Sequence, residues 1–303
     1  MATNSSARRD VAFNSSGDEC RAWLFMPDAE RPPLVILGHG LGGIREYGLE
    51  PFARRFADAG IAALVFTYRH FGDSGGHPRQ LLDIGRQLDD WAAALAYART
   101  LDEIDSARIA LWGTSFGGGH VLIAAERDGN VAAVVSQCPF TDGVAATRAA
   151  HPSSLVRAIA PVLRDQLARL RGKDPVMVPL VGPPGSAALM TSPDSEPGVR
   201  ALVPAGGEFH NGVAARFLLH VGTHRPGRSA KKISAPILFC LCDNDAVAPA
   251  DTAARYAATA PRAEIKRYPI GHFDIYVGRP FERAVADQTE FLVRHLGVAE
   301  KTG

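Results

Sequence analysis

The stretch Arg108-Ile109-Ala110-Leu111-Trp112-Gly113-Thr114-Ser115-Phe116-Gly117-Gly118-Gly119-His120 joins an apolar run to a helix-forming one through G-x-S-x-G. That junction is how a serine hydroxyl is pushed into the open at a sheet edge, because a sharp strand-to-helix turn holds the serine in strained backbone space. The residues two before and two after it must then be small, and Gly113 and Gly117 are. The helix expected from Val121-Leu122-Ile123-Ala124-Ala125 starts close behind, so its free amides and dipole favour negative charge beside Ser115.

Outward from this junction, apolar runs recur at Leu34 to Leu37, Ile61 to Thr67, Arg108 to Trp112, Val131 to Gln137, Pro236 to Cys242 and, more briefly, Ala263 to Tyr268. Each is bounded by glycine, proline or acidic residues and reads as a buried strand. Ile84, Leu88, Trp91, Leu95, Ala98 and Leu101 fall on one helical face between two of them. Strand and helix alternate, which predicts an α/β fold with a mostly parallel central sheet flanked by helices.

The alternation fails from Thr141 to Lys232, about 90 residues where one crossover helix would suffice. The reading divides the chain into a core, residues 1–140 and 233–303, and an inserted cap or lid, residues 141–232. The insertion begins with a helical stretch from Ala145 to Arg171, turns rich in proline and glycine, and closes with Asn211 to Val221. Val178, Leu180, Val181, Leu189 and Met190 give it apolar surface to bury, unlike a free linker.

The 303 residues are 46% hydrophobic and 21% charged, the composition of a globular chain. Lys and Arg number 33 against 32 Asp and Glu, so no overall field draws the chain to nucleic acid or to an acidic membrane. The expected partner is a small, fairly apolar molecule. No apolar run approaches the length of a membrane span and no signal-like segment opens the chain, which makes the cytoplasm the expected location. Cys20, Cys138, Cys240 and Cys242 are too scattered for a disulfide framework and read as buried thiols. A homo-oligomer is compatible with the sequence, but no periodic mark identifies its surface.

A serine hydroxyl needs an imidazole to take its proton and a carboxylate to orient that imidazole. In an open parallel sheet these partners lie just after strands, at the carboxyl edge. Cys242-Asp243-Asn244-Asp245-Ala246-Val247-Ala248-Pro249 and Tyr268-Pro269-Ile270-Gly271-His272-Phe273-Asp274 supply them, and spacing alone leaves Asp243 open beside Asp245. An oxyanion pocket can be formed by the amides of Leu41, in Gly38-His39-Gly40-Leu41-Gly42-Gly43, and of Phe116. The first of these loops lacks the Lys-Ser/Thr of a phosphate-binding loop. His39 reads as an ordering residue, and His120 lies inside the helix after the serine. No H-e-x-x-H or C-x-x-C pair suggests a metal, and the chemistry requires no cofactor.

The HGLGG, YRHFGDSGG, GTSFGG, DNDAVAP and GHFDIY segments, in this order, resemble the α/β-hydrolase superfamily from about residue 34 to 296. More closely, they resemble bacterial hydrolases related to the S15 peptidase and esterase group and the hydrolase-like polyketide acyltransferases of fungi. The resemblance implies an α/β-hydrolase fold, Ser115 as nucleophile, His272 as base and then acid, Asp245 as orienting acid, a covalent acyl-enzyme and a cap above the pocket. Its D-x-D-x-x-x-P pattern favours Asp245 over Asp243. Asp142 stands third, since some members take the acid from that position. Ser74, in a second G-x-S-x-G match at Gly72 to Gly76, is by the same resemblance part of a structural turn.

These observations support an esterase-like serine hydrolase. An acyltransferase using the same acyl-enzyme is the alternative, and a receptor or scaffold on the hydrolase shell is a third. General-base catalysis by an ordinary imidazole predicts a pH limb near 6 to 7.

Overall fold

The computed structural model describes residues 7–149 and 152–298. In chain order the elements are β1 (Ala7–Ser15), β2 (Asp18–Met26), β3 (Leu34–Gly38), α1 (Glu50–Asp58), β4 (Ala62–Phe66), α2 (Ile84–Ala98), β5 (Ile109–Thr114), α3 (Phe116–Asp128) and β6 (Ala133–Gln137). There follow α4 (Gly143–Ala149), α5 (Pro152–Leu170), β7 (Met177–Val178), α6 (Ser195–Leu202), β8 (Val213–Ala214), α7 (Leu218–Val221), β9 (Ile237–Cys242), α8 (Ala250–Ala257), β10 (Ala263–Tyr268) and α9 (Gly278–Leu296).

Eight strands form one sheet in the order β1-β2-β4-β3-β5-β6-β9-β10. From β4 to β10 every pairing is parallel, while β1 and β2 add an antiparallel hairpin at one edge. This is the mostly parallel sheet expected. The sequence reading did not include this hairpin: β1 is largely exposed along its first half and carries no buried-strand pattern, while β2 does hold a short buried apolar run, Ala22 to Phe25.

Side chains alternate across the strands to build two cores. Ile36, Leu64, Leu111, Val134 and Phe239 face α2, α3 and α8. Val35, Val65, Trp112, Val135 and Leu238 face α1 and α9. Covering both faces explains why β3, β4, β5, β6 and β9 are buried along their whole length and mostly apolar. The sequence reading of Arg108 to Trp112 ends two residues early, since β5 continues to Thr114 and meets α3 at Ser115 with no loop between them.

Residues between β6 and β9 leave the sheet. The single helical stretch read from Ala145 to Arg171 is two helices, α4 and α5, and residues 150–151 between them lie outside the described residues. A buried ion pair organises the segment: Arg216 donates from Nε and Nη2 to the fully buried Asp165 at 2.8 Å each. Asn211 and Val181 exchange two hydrogen bonds, at 2.9 and 3.0 Å. The segment is tied down to sheet loops where Tyr47 donates to the Glu208 carbonyl and Gln80 to the Gly212 carbonyl. No helix among the described residues is long and apolar enough to cross a membrane.

Candidate active site

At the β5–α3 junction the backbone of Ser115 has φ 55°, a region that side chains rarely adopt. The turn closes only because its neighbours lack side chains. A Cβ on Gly113 would sit 2.2 Å from the Gly117 carbonyl oxygen, and one on Gly117 would sit 2.4 Å from that of His39. The two glycines therefore let α3 fold back on β5 and let the β3 loop approach the serine.

Three side chains from three strand ends converge here. Ser115 Oγ lies 3.1 Å from His272 Nε2, and His272 Nδ1 lies 2.6 Å from Asp245 Oδ2. His272 and Asp245 are nearly sealed from solvent, with 2% and 1% side-chain exposure. The remaining Asp245 oxygen accepts from the amides of Val247 and Ala248, at 2.8 and 2.6 Å, which fixes the carboxylate before α8 begins. Asp245 is thus the acid that meets the imidazole.

The rival acids have other partners. Asp243 accepts from Arg267 Nε at 2.6 Å on the protein surface. Asp142 accepts from the Val144 and Ala145 amides at the start of α4 and from Arg225, with the Tyr256 hydroxyl as a further donor. Ser74 donates to the Thr67 carbonyl and accepts from the Arg21 amide, so its hydroxyl holds a turn.

The Leu41 and Phe116 amides make no hydrogen bond among the described residues, and both residues line the cavity beside Ser115. Phe116 is the first residue of α3, so its N–H is among those that no helical carbonyl can reach. His39 fixes the other loop, with Nδ1 2.9 Å from the Gly40 carbonyl.

Electrostatics separate the histidines. Burial pushes His39 down to about 4, and likewise His224, while buried His120 falls well below the usual imidazole range. Those rings stay neutral at pH 7. For His272 burial also works against the charged ring, but the negative charge of Cys138 and Asp245 outweighs it and raises the pKa to about 9. Cys138 is the neighbour that sequence reasoning missed. Burial disfavours its thiolate, yet a hydrogen bond from Cys242 and the imidazolium field lower the thiol from its ordinary range. Only its place directly after β6 could have signalled it. Among the described residues, Cys138, Asp245 and His272 form the one trio with metal-ligating atoms within 4.8 Å of one another, and two of the three are already bonded together.

Ser115 opens on a cavity of about 490 Å³. Leu41, Phe116 and Phe140 supply its floor; Leu155, Met190 and Phe217 of the inserted segment supply its walls. Among the described residues no charged side chain lines it, although Thr147, Ser154, Thr191 and Ser192 add hydroxyls. The arrangement can deprotonate a serine, hold an anion at two free amides and accommodate an uncharged apolar group.

Residues 29–275 match the family described as serine aminopeptidase S33. The chain is 52% identical over 286 residues to the quorum-quenching protein AidA of Acinetobacter baumannii, spanning 94% of each. It is 27% identical to polyketide transferase af380 of Aspergillus fumigatus, over 95% of this chain and 99% of that one. The crystal structure of the α/β-hydrolase GrgF from Penicillium superposes with a TM-score of 0.82 at 25% identity, covering 96% of this chain and 99% of that one. With a family match across most of its length and a relative more than half identical along nearly all of it, the chain belongs to the S33 serine aminopeptidase family of α/β-hydrolases.

Proposed function

We propose that the protein cleaves a carboxylic ester or related acyl compound through an acyl-enzyme on Ser115. His272 Nε2 takes the hydroxyl proton as Oγ bonds to the carbonyl carbon, and the amides of Leu41 and Phe116 hold the resulting oxyanion. The imidazolium, oriented by Asp245, returns the proton to the departing alcohol oxygen as its bond to carbon breaks. Water then repeats the sequence on the acyl-enzyme and releases the acid. Residues 141–232 act as a cap that shapes the acyl pocket over the core formed by 1–140 and 233–303.

The observation that carries this reading is the unbroken hydrogen-bonded chain from Ser115 through His272 to Asp245 at the mouth of a cavity that the described residues line without charge. Labelling with a fluorophosphonate probe tests it: wild type should label and Ser115→Ala should not. Equal labelling of both removes Ser115 from the role, and labelling of neither favours a receptor.

A second reading, acyl transfer, is supported by the similarity to polyketide transferase af380. If the cap admits an alcohol or amine in place of water, the same acyl-enzyme serves. Supplying acceptors to a p-nitrophenyl ester assay and comparing transfer product with free acid decides between the two. The similarity to a protein named for quorum quenching makes an uncharged acylated signal molecule the substrate to try first.

A further inference from the structure

Of the ten large apolar side chains most exposed among the described residues, six lie on α5: Leu155, Val156, Ile159, Leu163, Leu167 and Leu170. Their spacing by threes, fours and sevens puts them within about one third of the helix circumference, while Ser154, Val162 and Asp165 face inward. The helix is therefore apolar on an outer face as well as packed on an inner one. Solvation alone gives no reason for such a stripe, since a lone soluble chain seldom exposes a continuous apolar patch beyond a few hundred Å².

We infer that this outer face of α5 docks on the same face of a second copy of the chain across a two-fold axis. Three observations favour that occupant. At 45% to 84% exposure, the six side chains leave on the order of 600 Å² open, so a pair can bury up to roughly 1,200 Å² from these residues, the lower bound for a stable interface. Leu155, Ile159, Leu163 and Leu167 form a ridge of four-residue steps that continues past Pro161, the geometry in which two identical helices interdigitate.

The third observation is chemical. The stripe is wholly aliphatic, without the tryptophan or tyrosine that anchors a helix at a bilayer surface, and the chain's net charge is only +1. Arg164, Arg169 and Arg171 border it, and the same segment carries exposed acids, Asp174 and Glu208, for a partner to set against them. Leu155 also lines the cavity, so the second copy sits against the pocket wall.

Sedimentation velocity on the full chain at low micromolar concentration tests the inference. Wild type is expected to run as a pair. Ile159→Glu/Leu163→Glu is expected to run as a single chain with unchanged circular dichroism and a thermal unfolding that stays cooperative. Val156→Gln/Leu167→Gln, a milder change should the glutamates disturb the helix, is expected to weaken pairing at least about tenfold. A single-chain wild type, or a pair that survives both variants, overturns the inference. So does flotation of wild type with phosphatidylglycerol vesicles, which makes a lipid surface the occupant.

Discussion

Strands β3 to β6 and β9 bury every one of their side chains, whereas α5 turns six large apolar side chains outward. Residues just after strands β3, β5, β6 and β9, and residues of α5, border the same cavity. The sheet rim holds Ser115 by close backbone contact, as where Gly117 lies against the His39 carbonyl, and leaves little room for change. The inserted segment instead lines the cavity with mostly small and apolar side chains, among them four alanines, three leucines, a phenylalanine and a methionine. The contrast suggests a division of labour: chemistry belongs to the rim and substrate choice to the insertion. The largest expected effect tests the rim. Ser115→Ala or His272→Ala should lower kcat/KM for any accepted ester by about 10³-fold to 10⁶-fold, with thermal stability nearly unchanged.

A finer test separates the two acids. Asp245→Asn should lower kcat by about 10²-fold to 10⁴-fold, because the amide no longer stabilises the imidazolium or selects its tautomer. Asp243→Asn breaks only an exposed pair with Arg267 and should change kcat by less than about twofold. Comparable losses in the two variants would mean that the acid is not assigned by the static geometry.

The insertion should respond differently. Ala158 on α5 lines the cavity, so Ala158→Phe should narrow it. Activity on p-nitrophenyl octanoate should fall about 10-fold to 100-fold relative to the acetate, within the range that misfit in an apolar pocket produces. A uniform loss on both esters would show that the insertion supports the chemistry as well as the choice, and the division above would fail.

The same contrast governs what could be read from sequence. Strands buried on both faces must be continuous apolar runs, and a strained serine turn must have glycines at fixed offsets, so β3 to β6, β9 and the Ser115 junction announce themselves. Asp245 and His272 follow because loops after parallel strands share one edge. In the edge hairpin, β1 escaped because its exposed half has no apolar pattern, whereas the buried run Ala22 to Phe25 of β2 was there to be read and was passed over. Inside the insertion, Asp165 and Arg216 form a pair across 51 residues that no local spacing reveals. The outward stripe on α5 was hidden by the opposite problem: a leucine in a helix reads the same whether it faces a core or a partner. Cys138 was read as a buried thiol, which it is, but its proximity to His272 depends on how β6 and β9 lie side by side.

That thiol bears on the smallest effect expected at the rim, a displacement of the pH profile. A general base must be neutral, so kcat/KM rises with pH until the free imidazole has lost its proton. An ordinary imidazole places that limb near 6 to 7, whereas His272, raised to about 9 by Cys138 and Asp245, should keep gaining activity well above neutrality. Cys138→Ala removes one of the two negative neighbours and leaves the Asp245 hydrogen bond in place, so the limb should move down in pH while the plateau rate changes little. An unmoved limb in Cys138→Ala would mean that the thiol is uncharged beside the imidazole and that Asp245 alone sets the basicity. A limb near 6 to 7 in wild type would go further: burial would then balance both neighbours, and the rim would hold its histidine by geometry with no net electrostatic tuning.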